Sequence, residues 1–216
     1  MKQLKKDTVT ELLWNTLITL MDLEPLHSFR LVGGTALSLQ LGHRISIDID
    51  LFTDLEYGTV DFINILNELN DNFDHIDIPV KWVNNTMGNS CYVGESGRDL
   101  IKIDLFYTDT FIMPPLIFGN VRLAQIGEIA AMKIDAICNR GRKKDFWDLH
   151  KLLETLTIDN IINLYEKRHP YELSRKEIIT FLTDFSTADN DPDPICLNQK
   201  YWELIKIDLE EISEKI

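Results

Sequence analysis

The sequence predicts an α/β (α+β) fold, a mixed β-sheet flanked by helices and followed by a helical module. Two alternating stretches predict the sheet. In residues 45–52, Ile45, Ile47, Ile49 and Leu51 fall on one face while Ser46, Asp48 and Asp50 fall on the other. In residues 99–107, Ile101, Ile103 and Leu105 alternate with Lys102, Asp104 and Phe106. The helical module is predicted by a change of period in the second half, where apolar residues recur every three or four positions.

Taken in order, residues 8–22 (TVTELLWNTLITLMD) carry a helical apolar pattern with Thr8 or Thr10 as the cap. Residues 29–32 form a short apolar run stopped by Gly33-Gly34, and 35–41 resume at helical period, which reads as strand, tight turn and helix. After the 45–52 strand comes a helix over about 60–73, then strands over 78–83 and 90–93, and a turn at Gly94-Glu95-Ser96-Gly97 leading into 99–107. Helices are expected over 123–138, 145–156, 159–167, 174–185 and 202–215. Between the last two, STADNDPDPICLNQK is polar, holds two prolines and reads as a loop or mobile linker. The expected division is an α/β core over 1–120 and a helical module over 121–216, with the boundary between Pro114-Pro115 and Gln125.

Composition narrows the function. At 216 residues the chain fits one domain, or one domain with a helical extension, with a substantial core, and an apolar fraction of 44% describes an ordinary soluble globule. No run of 18 apolar residues occurs and the start, MKQLKKDTVTELLW, is too polar for a signal peptide, so no membrane association and a cytoplasmic location are expected. Cys91, Cys138 and Cys196 are far apart and form no CxxC pair, which argues against a disulfide framework or a zinc site. A net charge of -13 repels a phosphate backbone as a whole, so a nucleic-acid substrate would have to be met locally. The candidate patch is Asn139-Arg140-Gly141-Arg142-Lys143-Lys144, whose alternative reading is a solvated loop between two helices.

Asp48 and Asp50 are the unusual feature. Period-two geometry sets them on one face, roughly 7 Å apart. Two such charges flanked by Ile47, Ile49 and Leu51 repel, and one pKa rises unless a cation lies between them. A divalent metal with oxygen ligands removes the conflict, and Mg²⁺ (or Mn²⁺) suits carboxylates better than zinc does; the alternative is an exposed edge strand with a wet polar face. The preceding Gly33-Gly34-Thr35 turn, between strand and helix, is a place where backbone can approach an anion. Asp104 offers a third carboxylate, which a neighbouring strand would bring beside the pair. Such a set suits in-line displacement at phosphorus.

These residues carry a resemblance. GGTALSLQLGHRISIDIDLF (residues 33–52) is similar to the signature of the DNA polymerase β-type nucleotidyltransferase superfamily, a GG turn before a DxD strand with a third Asp in a later strand. EIAAMKIDAICNRGRKKDFWDLHKLL (residues 128–153) resembles a stretch of the AbiEii/AbiGii-type toxins, the nucleotidyltransferase half of type IV toxin–antitoxin and abortive-infection systems. The resemblance implies a polymerase β-like core and an Mg²⁺-dependent transfer of NMP from an NTP to an acceptor hydroxyl. The implied acceptor is RNA, a tRNA 3′ end among the candidates, and a cognate antitoxin is the implied partner. Asp48, Asp50 and Asp104 are then the metal ligands, Gly33, Gly34 and Thr35 receive the triphosphate, and Arg44 and Ser46 support it.

Lys133 has physical support of its own. It interrupts the apolar stripe Ile126, Ala130, Ile137, so its ammonium needs an anion, which the resemblance makes the triphosphate; the alternative is a lysine reaching out from the stripe's edge. Asp145 and Asp148 match the family's final acidic motif, with a helix cap and a solvated position as their alternatives. Toxins of this family often carry a larger C-terminal domain, which leaves acceptor recognition open. Two rival functions stand beside this reading. An aminoglycoside or lincosamide nucleotidyltransferase would share the GG turn and DxD, and a non-catalytic nucleotide- or partner-binding module would share the fold.

Overall fold

The computed structural model describes residues 3–97 and 99–215. Among them, a seven-stranded mixed sheet is combined with eight α-helices. Helix α1 (Glu11–Asp22) starts where Thr10 accepts a hydrogen bond from the Leu13 amide at 3.1 Å. Strand β1 (Arg30–Leu31) leads into helix α2 (Gly33–Leu41), which ends on Gly42 in the left-handed region. Strand β2 (Asp48–Thr53), helix α3 (Phe62–Asn72) and strands β3 (His75–Asp77), β4 (Gly88–Gly94) and β5 (Ile101–Tyr107) follow. A small hairpin of β6 (Leu116–Phe118) and β7 (Val121–Leu123) turns at Gly119, φ +61.

The sheet order is β3-β4-β5-β2-β1-β7-β6. Central β2 runs parallel to β5 and antiparallel to β1. One face is closed by Ile49, Leu51, Ile103 and Leu105, all fully buried, with Phe62 of α3 set edge-on to Tyr107. The other face carries Asp48, Asp50, Lys102 and Asp104, each half-buried. Alternation along β2 and β5 therefore separates core from site, residue by residue.

Residue 120, the expected domain boundary, lies in the β6–β7 turn, and β7 pairs with β1 through Leu31 and Leu123. Five helices come after it: α4 (Ile126–Asn139), α5 (Lys143–Leu152), α6 (Ile158–Arg168), α7 (Arg175–Leu182) and α8 (Trp202–Ser213). Helix α4 packs on α2, α5, α6 and α7, so the helical part leans on the helix that begins at the glycine turn. Trp147 of α5 stacks on Trp202 of α8, ring centroids 6.3 Å apart, which fixes the last helix. No helix among the described residues is long and apolar enough to cross a membrane.

Two expectations are corrected. Residues 78–83 form no strand: Pro79 cannot donate to a ladder, and Trp82 instead turns inward, its indole N–H donating to the Ser90 carbonyl at 3.0 Å. The strand expected from residue 45 begins only at Asp48, because the Ile45 amide donates to the Ile195 carbonyl and the Ser46 amide to the Thr8 carbonyl, both at 2.9 Å. Ile47 is consequently 64% exposed rather than on the core face. Residues 186–200, expected as a loop or mobile linker, are loop apart from a 3-10 turn at Ala188–Asn190 and a bridge from Cys196 to Arg44.

Candidate active site

Parallel pairing of β2 with β5 sets Asp50 opposite Asp104 and Asp48 opposite Lys102. Strands in a sheet lie about 4.8 Å apart, so this register brings the third carboxylate directly beside the second. Ser90, opposite Asp104 on β4, donates its hydroxyl to Asp104 Oδ1 at 2.6 Å, and the Lys102 ammonium donates to Asp104 Oδ2. Lys144, in the first turn of α5, places Nζ 3.5 Å from Asp48 Oδ2. Burial, then the Asp104 and Asp48 charges, pushes the Asp50 carboxyl up to about 6 against the pull of Lys133 and Lys144. Among the described residues no three acidic, cysteine or histidine side chains gather into a ready metal cage. Asp104 is turned to its lysine and serine, Asp48 toward Lys144.

The glycine turn is shaped around these groups. Gly33 has φ +65, and a Cβ on it would stand 2.5 Å from Asp50 Oδ2; a Cβ on Gly34 would stand 2.1 Å from Arg44 Nη2. Thr35 and Ser46 are both buried, their hydroxyl oxygens 2.8 Å apart, and Thr35 donates to the Asp48 carbonyl. They tie α2 to the start of β2 from beneath. Gly33→Ala should strain the left-handed backbone and displace the Asp50 carboxylate. We expect a melting-point loss equivalent to roughly 1–2 kcal/mol and at least about tenfold lower kcat in nucleotide transfer.

Behind the turn lies a buried ionic network. Arg44 grips Asp148 with two bonds, Nε to Oδ1 at 2.6 Å and Nη2 to Oδ2 at 2.8 Å; His43 Nε2 lies 2.7 Å from Oδ1. Lys133 Nζ joins Asp148 Oδ2 at 2.6 Å and Asp145 Oδ1 at 2.8 Å. Asp145 and Asp148 are fully buried, which excludes the solvated position for Asp148, and Lys133 is 5% exposed, which excludes a lysine reaching into water. Asp145 stands in the first turn of α5 with its side chain on Lys133. Burial opposes ionisation of Asp148, but Arg44 and Lys133 hold its carboxyl well below the usual carboxylate range. The network clamps the α2–β2 connection, α4 and α5 together.

A cleft of about 490 Å³ opens over Gly33, Asp50, Asp104, Lys133 and Arg140. At the Asp48 end lie two more. One of about 830 Å³ is bordered by Glu11, Asp48, Tyr92, Glu95, Asp99 and Lys102, and one of about 310 Å³ by Arg44, Ser46, Asp48, Arg142, Lys144 and Asp193. The basic run is therefore not one patch. Arg140 faces the Gly33 cleft, Arg142 and Lys144 face the Asp48 cleft, and Lys143 is buried with Nζ 2.9 Å from Asp193 Oδ1.

A family model described as the nucleotidyl transferase AbiEii toxin of the type IV TA system matches residues 17–214. The chain belongs to the AbiEii nucleotidyltransferase toxin family. Among curated proteins, an uncharacterized protein of Aquifex aeolicus is 27% identical over 188 residues, 83% of this chain and 84% of that one. Among solved structures, JHP933 from Helicobacter pylori superposes with a TM-score of 0.59 at 18% identity, covering 94% of this chain and 88% of its own. The nucleotidyltransferase toxin MenT4 from Mycobacterium tuberculosis gives a TM-score of 0.54 at 13% identity, covering 87% and 76%. This AbiEii-family chain is thus a nucleotidyltransferase on the expected fold.

Of the residues singled out in the sequence, Asp50, Asp104 and Lys133 of this AbiEii-family protein border the Gly33 cleft, while Asp48 borders the two clefts at its own end of β2 and Lys133 is bonded to Asp145 and Asp148. It places Arg44 and Ser46 with their side chains inside the fold. Residues passed over were His43, Ser90 and Lys102. The signal for Lys102 was available in IKIDLF, since it shares the face of Asp104; His43 carried no periodic or motif signal.

Proposed function

We propose that this chain transfers a nucleoside monophosphate from an NTP to a hydroxyl of an RNA acceptor, a tRNA 3′ end being the first candidate, in a Mg²⁺- or Mn²⁺-dependent reaction. The observation that carries the reading is the parallel register setting Asp50 beside Asp104, over a cleft whose wall is the Gly33 turn. A divalent cation fits this set: the donors are all oxygen, Asp50 lacks a neutralising partner strong enough to keep its pKa low, and Gly33 leaves its Oδ2 unobstructed. Asp48, Asp50 and Asp104 would hold it. Bound there, the cation would supply charge neutralisation of the triphosphate and a more acidic acceptor hydroxyl.

The chain's own residues do the rest. The Gly33-Gly34-Thr35 turn at the α2 N-terminus receives the triphosphate, with the 57% exposed Arg140 adding positive charge from the opposite wall, while the Lys133 ammonium, expected to meet the triphosphate, is already matched by Asp145 and Asp148. Arg44 and Ser46 support the turn from below, and Asp145 holds Lys133 in place. The acceptor approaches at the Asp48 end, where Arg142 and Lys144 meet its phosphates. Its hydroxyl oxygen attacks the α-phosphorus, the proton is taken up at the Asp104 carboxylate, the bond to the bridging oxygen breaks, and pyrophosphate leaves. Growth arrest reversed by a cognate antitoxin would be the cellular outcome, and the cytoplasm the location.

One observation favours a second reading. Glu11, Glu95 and Asp99 around the 830 Å³ cleft would suit a cationic small acceptor such as an aminoglycoside. Labelled NTPs, Mg²⁺ and total tRNA distinguish the two. Label should enter RNA, and Asp48→Asn should reduce transfer by roughly 100-fold or more. Transfer untouched by that substitution overturns the metal assignment, and label on an added aminoglycoside in place of RNA makes the second reading correct.

A further inference from the structure

Lys102 is the cation closest to the carboxylate set that no role above uses. It stands on β5 two residues before Asp104 and on the same face, opposite Asp48 across the β2–β5 ladder. Its ammonium is bonded to Asp104 Oδ2, and it borders both the Gly33 cleft and the larger Asp48 cleft. With Ser90 on Oδ1, both oxygens of Asp104 are engaged. Hydrophobic packing does not account for a lysine here, since its side chain remains 35% exposed and its head is aimed along the sheet into the acidic row.

We propose that Lys102 is a positioning residue that serves as the resting counter-ion of the metal centre. This rests on the reading above that Asp48, Asp50 and Asp104 hold a divalent cation. In the free protein the ammonium neutralises Asp104 and occupies the oxygen that a cation would need. A cation can share Asp104 Oδ2 only after the ammonium has withdrawn along the strand. Asp48 and Asp50 carry no such bond from Lys102, and among the described residues the Asp48 carboxylate meets only Lys144, at 3.5 Å, so they are the less firmly held half of the site. The NTP, arriving with its own cation, is then the natural trigger: it engages Asp48 and Asp50 first, and Asp104 joins as Lys102 leaves. Metal occupancy at Asp104 becomes conditional on substrate, which limits idle hydrolysis of NTP.

The test is Mn²⁺ binding to the full chain by electron paramagnetic resonance, without nucleotide. A unit positive charge removed from about 4 Å changes a neighbouring cation's affinity by an order of magnitude or more at a partly exposed site. Lys102→Met should therefore bind Mn²⁺ about tenfold more tightly than the native chain, Lys102→Arg should bind like the native chain, and the rise in melting temperature on adding Mn²⁺ should be larger for Lys102→Met. A merely structural lysine would lower stability equally with and without the ion. Lys102→Gln, polar and of similar reach, keeps the test open if the methionine variant fails to fold. Equal or weaker Mn²⁺ binding by the neutral variants overturns this inference alone. Absence of Mn²⁺ binding in every variant and in the native chain, with and without NTP, overturns it together with the metal assignment.

Discussion

Asp148→Ala is expected to cost the fold about 3–5 kcal/mol, the range for stripping one partner from a buried charge network. The carboxylate is fully buried and receives Arg44 twice, His43 and Lys133. Its loss leaves a guanidinium without an anion and throws the Lys133 ammonium entirely onto Asp145. Against a total stability of about 5–15 kcal/mol for a domain, that is a large share. Urea unfolding followed by far-UV circular dichroism would read it as a fall in midpoint at unchanged slope. The pH dependence has a definite sign. Asp148 is held well below its ordinary 3.8, so its contribution is present above that value and is lost as pH falls through the lower folded value. Acid unfolding of the native chain should steepen below about pH 4, and the alanine variant should lose that steepness. A midpoint unchanged by the substitution would show that the clamp between α4, α5 and the α2–β2 connection contributes nothing net.

That clamp marks where the sequence stopped being legible. Asp48, Asp50 and Asp104 could be read because strands have a period of two, so a carboxylate on the polar face of an apolar strand is visible without a structure. The glycine turn was equally visible, since only glycine accepts both φ +65 and the approach of Asp50. Pairing across the chain is another matter. His43 and Arg44 meet Asp148 more than a hundred positions away, and no local pattern specifies which distant anion a buried cation will find. The same limit explains residues 45–47, where alternation predicted strand but competing backbone partners at Thr8 and Ile195 took the hydrogen bonds. The run NRGRKK shows a third limit. Composition reveals a basic patch, whereas the φ +52 turn at Gly141 and the start of α5 decide that its members face different clefts.

Asp50→Asn should separate stability from function in opposite directions. In nucleotide transfer it should lower kcat by roughly 10²–10³-fold, because a neutral amide no longer binds a cation or balances charge developing at phosphorus. In the ligand-free protein the same change should stabilise the fold at neutral pH. The Asp50 carboxyl is raised from 3.8 to about 6 by burial and by Asp104 and Asp48, so its charged form is held against an unfavourable surrounding. Between those two values the folded state keeps a proton that the unfolded chain releases. Stability therefore falls as pH rises through that window and stays lower above it. At about 1.4 kcal/mol per pKa unit, a gain of about 1–3 kcal/mol at pH 7.5 is the expected size for the asparagine. It should vanish near pH 4, where the native aspartate is protonated in the fold. Adding Mn²⁺ and NTP should raise the melting temperature of the native chain and leave the variant nearly unmoved, since only the carboxylate rewards the ligand. An asparagine variant less stable than the native chain at pH 7.5, with unaltered pH dependence, would mean that the acidic row carries no electrostatic strain, and the reason for assigning it to a cation would go with it.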